Sequence, residues 1–391
     1  MRLLVITPVY PPHRHGIGDY THHLCTSWAD KGHDVFVLTS HHCASEHKKD
    51  AVRIINSVTS WSIWNIFNII REIERIKPHL ISIQYESGAY QEKAAVNWLP
   101  LLLKIYCQGV PLLTTFHAFH GPAGFSKLNL LMLALFSDRL IVTHSEDYNK
   151  IKQRARFWLH KTRQIPIGSS LSCKPLVKGV RNKLMTKWGL AEDDFILCFF
   201  GFILPDKGLD AIISAIKILK EKGRSLKLLV IGGNPVTSLE QSLALEKLLK
   251  EQVASFHLEQ SVIWTGFLES EEASQLMRLS SLGIMLYEDG LSLRRSTFMA
   301  YVCNFLPLIT TPNTSPLPEH FQDGQSIIFT TYGKGAELAA KITVYMDNSE
   351  KLTAMRQRLR EISIEYDWDV ISDKQIDEYN QIINSRKQPR I

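Results

Sequence analysis

Four short segments hold residue types that could do chemistry, and each sits where a strand gives way to a helix. The first runs Tyr10-Pro11-Pro12-His13-Arg14-His15-Gly16-Ile17-Gly18-Asp19-Tyr20. Glycines let a backbone approach a ligand closely, and a helix start favours an anion. The segment reads equally as a ligand loop or as a plain connection; it is too long for the dinucleotide fingerprint and lacks the third glycine. The second is Thr114-Thr115-Phe116-His117-Ala118-Phe119-His120-Gly121-Pro122, in which a strand delivers His117 to its carboxyl end. A neutral imidazole there can hydrogen-bond a hydroxyl, and an ordinary pKa of about 6.5 lets it change charge near pH 7. The plainer alternative is a loop histidine satisfied by backbone. The third segment, Phe199 to Asp210, ends a buried strand at Gly201 and puts Lys207 just before a helix. A lysine there suits a diphosphate, although Asp206-Lys207-Gly208 is also good turn chemistry. The fourth, Tyr287 to Thr297, combines Gly290, Ser292, Arg294, Arg295, Ser296 and Thr297. Hydroxyls and arginine forks at a helix start are a phosphate-binding composition; the alternative is a capped helix with two surface arginines.

The elements that must position these residues follow from hydrophobic periodicity. Leu3–Ile6, Val35–Leu38, Leu80–Ile83, Leu112–Thr115 and Leu140–Val142 are short apolar runs, the pattern of buried parallel strands. Between them lie the helices predicted over Asp19–Lys31, which stops at Gly32, and Ile63–Lys77, which stops before Pro78. This β-α-β alternation predicts a doubly wound sheet. Residues 165–190 hold Pro166, Gly168, Ser169, Ser170, Ser172, Pro175 and Gly179 without sustained period, and read as a linker. The alternation then restarts with strands over Phe195–Phe200, Leu226–Ile231, Ser261–Thr265, Gly283–Tyr287 and Pro307–Thr310, and a helix over Gly208–Lys222. The expected fold class is α/β, two Rossmann-like domains facing each other across a cleft. They are expected over 1–170 and 171–365, with a helix in 366–391 returning to the first.

Composition excludes several classes. With 45% hydrophobic and 21% charged residues the chain is too apolar for disorder and too charged for a polytopic membrane protein. A net charge of +6 suits anionic substrates but is too small to argue for nucleic acid. Cys25, Cys43, Cys107, Cys173, Cys198 and Cys303 have no close pair, which reads as reduced thiols in a cytoplasmic protein. The apolar stretches Trp98–Leu103 and Leu128–Phe136 are too short to span a bilayer. Histidines 13, 15, 22, 23, 33, 41, 42 and 47 crowd the amino-terminal region, but the adjacent pairs are poorly spaced for a metal, and structural roles are the simpler reading. Trp61 to Phe67, followed by Arg71, Arg75 and Lys77, opens a helix that packs on the sheet or touches the inner membrane face as a peripheral contact. The basic tail with Arg386, Lys387 and Arg390 reads as a solvated end.

Taken together, the order and spacing of the segments resemble the retaining nucleotide-sugar glycosyltransferases of family 4, which have the GT-B architecture. The resemblance covers nearly the whole chain. Tyr10-Pro11-Pro12 with Gly16-Ile17-Gly18 looks like that family's glycine loop, Thr115-Phe116-His117 like its histidine strand, and Lys207-Gly208 like its phosphate lysine. Ile165-Pro166-Ile167-Gly168 looks like its interdomain motif, Val262 to Phe267 like its base-contacting loop, and Trp368 like its crossing back to the first domain. There are departures. Phe202 stands where many members carry arginine, and Ser292 and Ala300 stand where many carry two glutamates, with Glu288 and Asp289 as nearby carboxylates. The resemblance implies transfer of a hexose-type sugar from a UDP- or GDP-sugar to an acceptor hydroxyl with retention, and no metal or other cofactor. It implies His117 and Lys207 as catalytic residues. Gly16, Gly18, Gly201, Arg294, Arg295, Ser296, Thr297, Gly266 and Phe267 would hold the donor, and Ile17, Asp19, Tyr20 and Glu86 would lie on the acceptor side. The acceptor would be a glycan, a lipid-linked sugar or a small molecule. Two alternatives stay open: a nucleotide-sugar epimerase, which the lack of convincing paired carboxylates disfavours, and an inactive nucleotide-sugar binder, which the missing glutamates favour.

Overall fold

The computed structural model describes residues 1–13, 15–40, 52–86, 88–90, 95–107, 109–117, 125–171, 173, 176–235, 239–313 and 317–387. Arg14, His41, His42, Cys43, His47, residues 118–124 and Arg390 lie outside them. The chain divides into two compact units, Met1–Gly168 with Trp368–Ile391, and Ser169–Asp367.

The first unit runs β1 (Arg2–Ile6), α1 (Gly16–Asp30), β2 (Asp34–Ser40), β3 (Val52–Val58), α2 (Ile66–Ile76), β4 (Leu80–Tyr85), α3 (Ala95–Tyr106), β5 (Leu112–Phe116), α4 (Phe125–Phe136), β6 (Arg139–Val142), α5 (Ser145–Arg154) and β7 (Thr162–Gln164). Among the described residues its strands form one parallel sheet in the order β3-β2-β1-β4-β5-β6-β7. Helices cover both faces of such a sheet, so its inner strands must be apolar throughout, and every residue of β4 and β5 is buried. The direction of winding reverses between β1 and β4, which opens a crevice beyond their carboxyl ends.

The second unit runs α6 (Lys178–Trp188), β8 (Ile196–Phe200), α7 (Leu209–Glu221), β9 (Lys227–Ile231), α8 (Leu239–Ser255), β10 (Val262–Gly266), α9 (Ser270–Leu279), β11 (Leu282–Met285), α10 (Ser296–Cys303), β12 (Leu308–Thr310), β13 (Ile327–Phe329), α11 (Gly335–Met346) and α12 (Ser349–Ser363). Its parallel sheet has the order β10-β9-β8-β11-β12-β13, with the reversal between β8 and β11. The last helix, α13 (Trp368–Lys387), belongs to the first unit. It is fastened to α1 by Ser27 donating to Asp369 at 2.7 Å and by Lys31 paired with Asp373 at 2.6 Å. Glu378 of α13, nearly buried, receives both Arg139 and Arg163.

Several expectations are corrected here. Helix α1 begins at Gly16, so Gly16, Ile17 and Gly18 are its first turn rather than a loop, and His15 caps it by accepting from the Ile17 amide. The second half of the expected linker folds as α6, which buries little beyond Leu184 and Met185 and so shows weak periodicity. Strands β3 and β7 went unforeseen because each lies at a sheet edge, where polar residues such as Arg53, Asn56 and Arg163 replace an apolar run.

Just beyond the carboxyl ends of β8 and β9 the backbones at Gly201 and Gly232 come close together. Gly232 adopts φ +141°, and a Cβ built there would lie 2.0 Å from the carbonyl oxygen of Gly201. No side-chain adjustment relieves a clash with backbone, so Gly232→Ala is expected to destabilise the second unit by about 2 kcal/mol or more. Urea unfolding followed by fluorescence measures this; an unshifted midpoint would contradict the packing described.

Candidate functional site

One cluster of candidate residues belongs to each unit, and in both it gathers at the sheet's switch point. In the first unit β5 ends at Phe116, and the His117 amide continues the ladder by donating to the Tyr85 carbonyl at 3.0 Å. The His117 ring lies 2.9 Å from Gln84 Oε1 through Nε2 and meets the Tyr20 ring edge-on at 4.6 Å between centroids. Burial, with smaller contributions from His15 and His144, lowers its pKa from 6.5 to about 3. The expected change of charge near pH 7 is therefore replaced by a ring that stays neutral and serves hydrogen bonding.

The acceptor-side residues separate into two kinds. Ile17 and Tyr20 turn into the unit, at 3% and 4% exposure, so their side chains are interior groups; Tyr20 receives a hydrogen bond from Gln375 of α13 at 2.6 Å. Asp19 and Glu86 remain part-exposed at the sheet's carboxyl edge, and burial raises the Asp19 pKa to about 6. A Cβ at Gly18 would sit 3.4 Å from the Val9 carbonyl oxygen, while one at Gly16 would meet nothing within 4 Å among the described residues. No packing contact among the described residues demands a glycine at 16. The neighbouring histidines have structural partners: His22 contacts the Tyr10 hydroxyl and His23 stacks on Trp368. Among the described residues no group of three His, Cys, Asp or Glu side chains could hold a metal ion.

In the second unit Gly201 follows β8, a single 3-10 turn over Pro205–Lys207 comes next, and Gly208 at φ +62° opens α7. A Cβ at Gly208 would press on the Leu286 side chain at 2.9 Å, so the glycine lets this turn sit against the end of β11. Lys207 is thereby held at 9% exposure, with its ammonium 2.7 Å from Asp206 and 4.8 Å from the centroid of the Tyr287 ring. Arg295, immediately before α10, places its guanidinium 4.1 Å from the centroid of that same ring and pairs with Asp289. Its Nε is buried without a hydrogen-bond partner among the described residues. Burial lowers the Lys207 pKa, Asp206 opposes that shift, and Arg295 adds to it. Tyr287, pushed up to about 12 by burial, bonds Thr297 at 3.1 Å. Among the described residues no side chain caps α10, so its first turn at Ser296 and Thr297 presents amides rather than a capped end. Arg294 lies beside Arg295, with its amide donating to Ser292 at 3.3 Å.

Gly266 ends β10 with φ +67°, and Phe267 beyond it is half exposed. Ala300 is buried within α10, and of the two carboxylates near the expected glutamates Asp289 is committed to Arg295 while Glu288 is exposed. Sequence reasoning missed Tyr287 as the ring beneath both cations and Gln84 as the partner of His117. Each ends or follows an apolar strand with a polar side chain, which was the available signal.

Two family models meet this geometry: Glycosyltransferase Family 4 matches residues 14–171, and Glycosyl transferases group 1 matches residues 180–362. Each unit thus carries a glycosyltransferase family domain, and the fold is that of the GT-B class. It is 28% identical over 268 residues to EpsD of Bacillus subtilis (strain 168), itself named a glycosyltransferase only provisionally; the match takes in 66% of the chain and 66% of EpsD, so the chain spans just under two thirds of that relative. The fold is similar to that of a glycosyltransferase from Rickettsia africae ESF-5, at a TM-score of 0.77 and 15% identity over 98% of both chains. It is similar also to Anabaena Alr3699/HepE, whose structure in complex with UDP gives a TM-score of 0.73 and 16% identity over 97% of this chain and 100% of that one. HepE has also been solved in complex with UDP-glucose.

The low His117 pKa has a consequence for pH dependence. Because the folded value of about 3 lies below the ordinary 6.5, the neutral ring's contribution to stability is complete above 6.5 and is lost as pH falls toward 3. Nitrogen-15 NMR is expected to find the His117 ring untitrated between pH 8 and pH 5, where exposed histidines titrate. Titration near 6.5 would show that the ring is not desolvated.

Proposed function

We propose that this glycosyltransferase moves a sugar from a UDP- or GDP-sugar to an acceptor hydroxyl with retention and without a divalent metal. The observation that carries the reading is the pair of cations, Lys207 and Arg295, gathered on the Tyr287 ring at a sheet switch point. Two like charges in a partly dry place form a site for a multiply charged anion. HepE, which shares the fold and binds UDP and UDP-glucose, supports a nucleoside diphosphate as that anion.

On this reading Lys207 and Arg295 exchange Asp206 and Asp289 for the diphosphate oxygens. They neutralise the charge that develops as the anomeric bond breaks, which is the work a metal ion would otherwise do. The Ser296 and Thr297 amides add to this at the start of α10. His117, neutral, accepts a hydrogen bond from a sugar hydroxyl and orients the donor. The acceptor hydroxyl attacks the face the phosphate leaves, and the departing phosphate oxygen takes its proton, so no separate base is required.

Lys207→Ala is expected to lower transfer about a hundredfold, on the order of 3 kcal/mol of lost charge stabilisation, and His117→Ala to lower it less sharply. EDTA is expected to leave transfer intact. Radiolabelled donor with a panel of glycan, lipid-linked and small-molecule acceptors tests this. Normal transfer by both variants would overturn the site, and donor binding without transfer to any acceptor would favour an inactive binder.

The acceptor side carries a further proposal, that of a peripheral contact with a membrane presenting a lipid-linked acceptor. Helix α2 packs on the sheet through Ile66, Ile69, Ile70, Ile73 and Ile76, as the plainer reading expected. The 3-10 turn before it (Ile63–Asn65) leaves Trp64 at 87% exposure, and the helix leaves Phe67 at 56%, with Phe67 against Tyr106 of α3 and Arg71 on the same side of the helix. Among the described residues no helix is long and apolar enough to cross a membrane. In flotation with vesicles containing anionic lipid the protein is expected to rise with them, and Trp64→Ser with Phe67→Ser to remain below; equal flotation by both would remove this contact.

A further inference from the structure

A buried chain of polar contacts in the first unit starts at His117 and returns to it. His117 Nε2 meets Gln84 Oε1 at 2.9 Å, and Gln84 Nε2 donates to Ser82 Oγ at 3.1 Å. The Tyr379 hydroxyl lies beside the Ser82 side chain. Tyr379 donates to Gln375 Oε1 at 3.2 Å, and Gln375 Nε2 donates to the Tyr20 hydroxyl at 2.6 Å. Tyr20 then closes the circuit by its edge-on contact with the His117 ring. Ser82, Gln84, Gln375 and Tyr379 are at most 1% exposed. Groups this deep persist when each finds a partner, and removing one leaves two unsatisfied.

In this orientation the Gln84 amide nitrogen donates to Ser82, which turns Oε1 toward the His117 ring. The ring must then carry its proton on Nε2, because Gln84 Oε1 can only accept. Nδ1 is left bare. The circuit passes through two residues of α13, so the carboxyl-terminal helix reaches the histidine through interior polar groups as well as through packing. We propose that this chain locks His117 in the Nε2–H tautomer, keeping Nδ1 as an acceptor, and that Gln84 and Gln375 are positioning residues for sugar transfer. The proposal rests on the reading of His117 as the acceptor for a sugar hydroxyl. A histidine donating from Nδ1 could not fill that role, and one free to exchange tautomers would fill it only part of the time.

The test is the long-range proton–nitrogen NMR spectrum of the whole protein, in which the two tautomers have distinct nitrogen shifts. The wild type is expected to show His117 as Nε2–H, and Gln84→Leu to show a mixture. Gln375→Met, which is far along the chain and close to isosteric, is expected to lower kcat about tenfold with KM for the nucleotide sugar unchanged. Gln84→Glu keeps an acceptor for Nε2–H but sets a carboxylate beside the ring. Its His117 pKa is expected to rise, so that transfer falls as pH drops through that value while the wild type stays level. A wild-type ring protonated on Nδ1 would overturn the proposal, because both amides would then be turned over. A tautomer unaltered in Gln84→Leu, together with normal kcat in Gln375→Met, would overturn it as well. The spectrum is read without turnover, so the separate failure of the functional reading, normal transfer by His117→Ala, is told apart from either result.

Discussion

A lysine and an arginine share one buried tyrosine ring, and the second unit is organised around making that tolerable. Two cations at Tyr287 repel in a place where water screens them poorly. Asp206 and Asp289 offset them, so the resting cluster is a balanced set of two positive and two negative charges. The ring's negative face contributes without adding a formal charge. The supporting backbone follows from this need. Gly208 lets the lysine turn settle on Leu286, and the end of β11 delivers Tyr287, with Arg295 at the start of α10. An anion with several oxygens could replace both carboxylates at once, whereas a single charge would leave one cation unmatched.

The first unit meets a different demand by the opposite means. His117 is held neutral by burial, and its surroundings are hydroxyls, amides and aromatic edges rather than charges. A neutral ring fixed in orientation discriminates by hydrogen bonding, which suits a sugar. A charged pair suits a phosphate. The two chemistries that a nucleotide sugar combines are thus found on separate units, each at the point where its sheet changes direction of winding.

Much of this was legible in the amino-acid order. The strands that carry the clusters are central, so they read as unbroken apolar runs, and the residue after each run proved to be the informative one: His117 after β5, Gly201 after β8, Tyr287 just beyond β11. Legibility failed where geometry decides. Edge strands β3 and β7 carry mixed polarity, and α6 buries too little of one face to show a period. Helix α1 starts three residues earlier than its apolar pattern suggests, because glycines at 16 and 18 hide the first turn. Partnerships between distant residues were out of reach. Gln84 with His117, Arg295 with Tyr287 and Gln375 with Tyr20 each join positions whose proximity only the fold creates. Phe202 stands where many members of the resembled family carry arginine, and a guanidinium is present near Lys207 all the same, supplied by Arg295 from another element.

The central claim is that Lys207 and Arg295 act together on a diphosphate. It is tested most directly by calorimetric titration of a nucleoside diphosphate and the matching monophosphate into wild type, Lys207→Ala, Arg295→Ala and the double variant. The account predicts that the diphosphate binds wild type more tightly than the monophosphate, that either substitution removes most of that difference, and that the double variant loses little more than the single ones. Equal affinity for the diphosphate in all four proteins would contradict it.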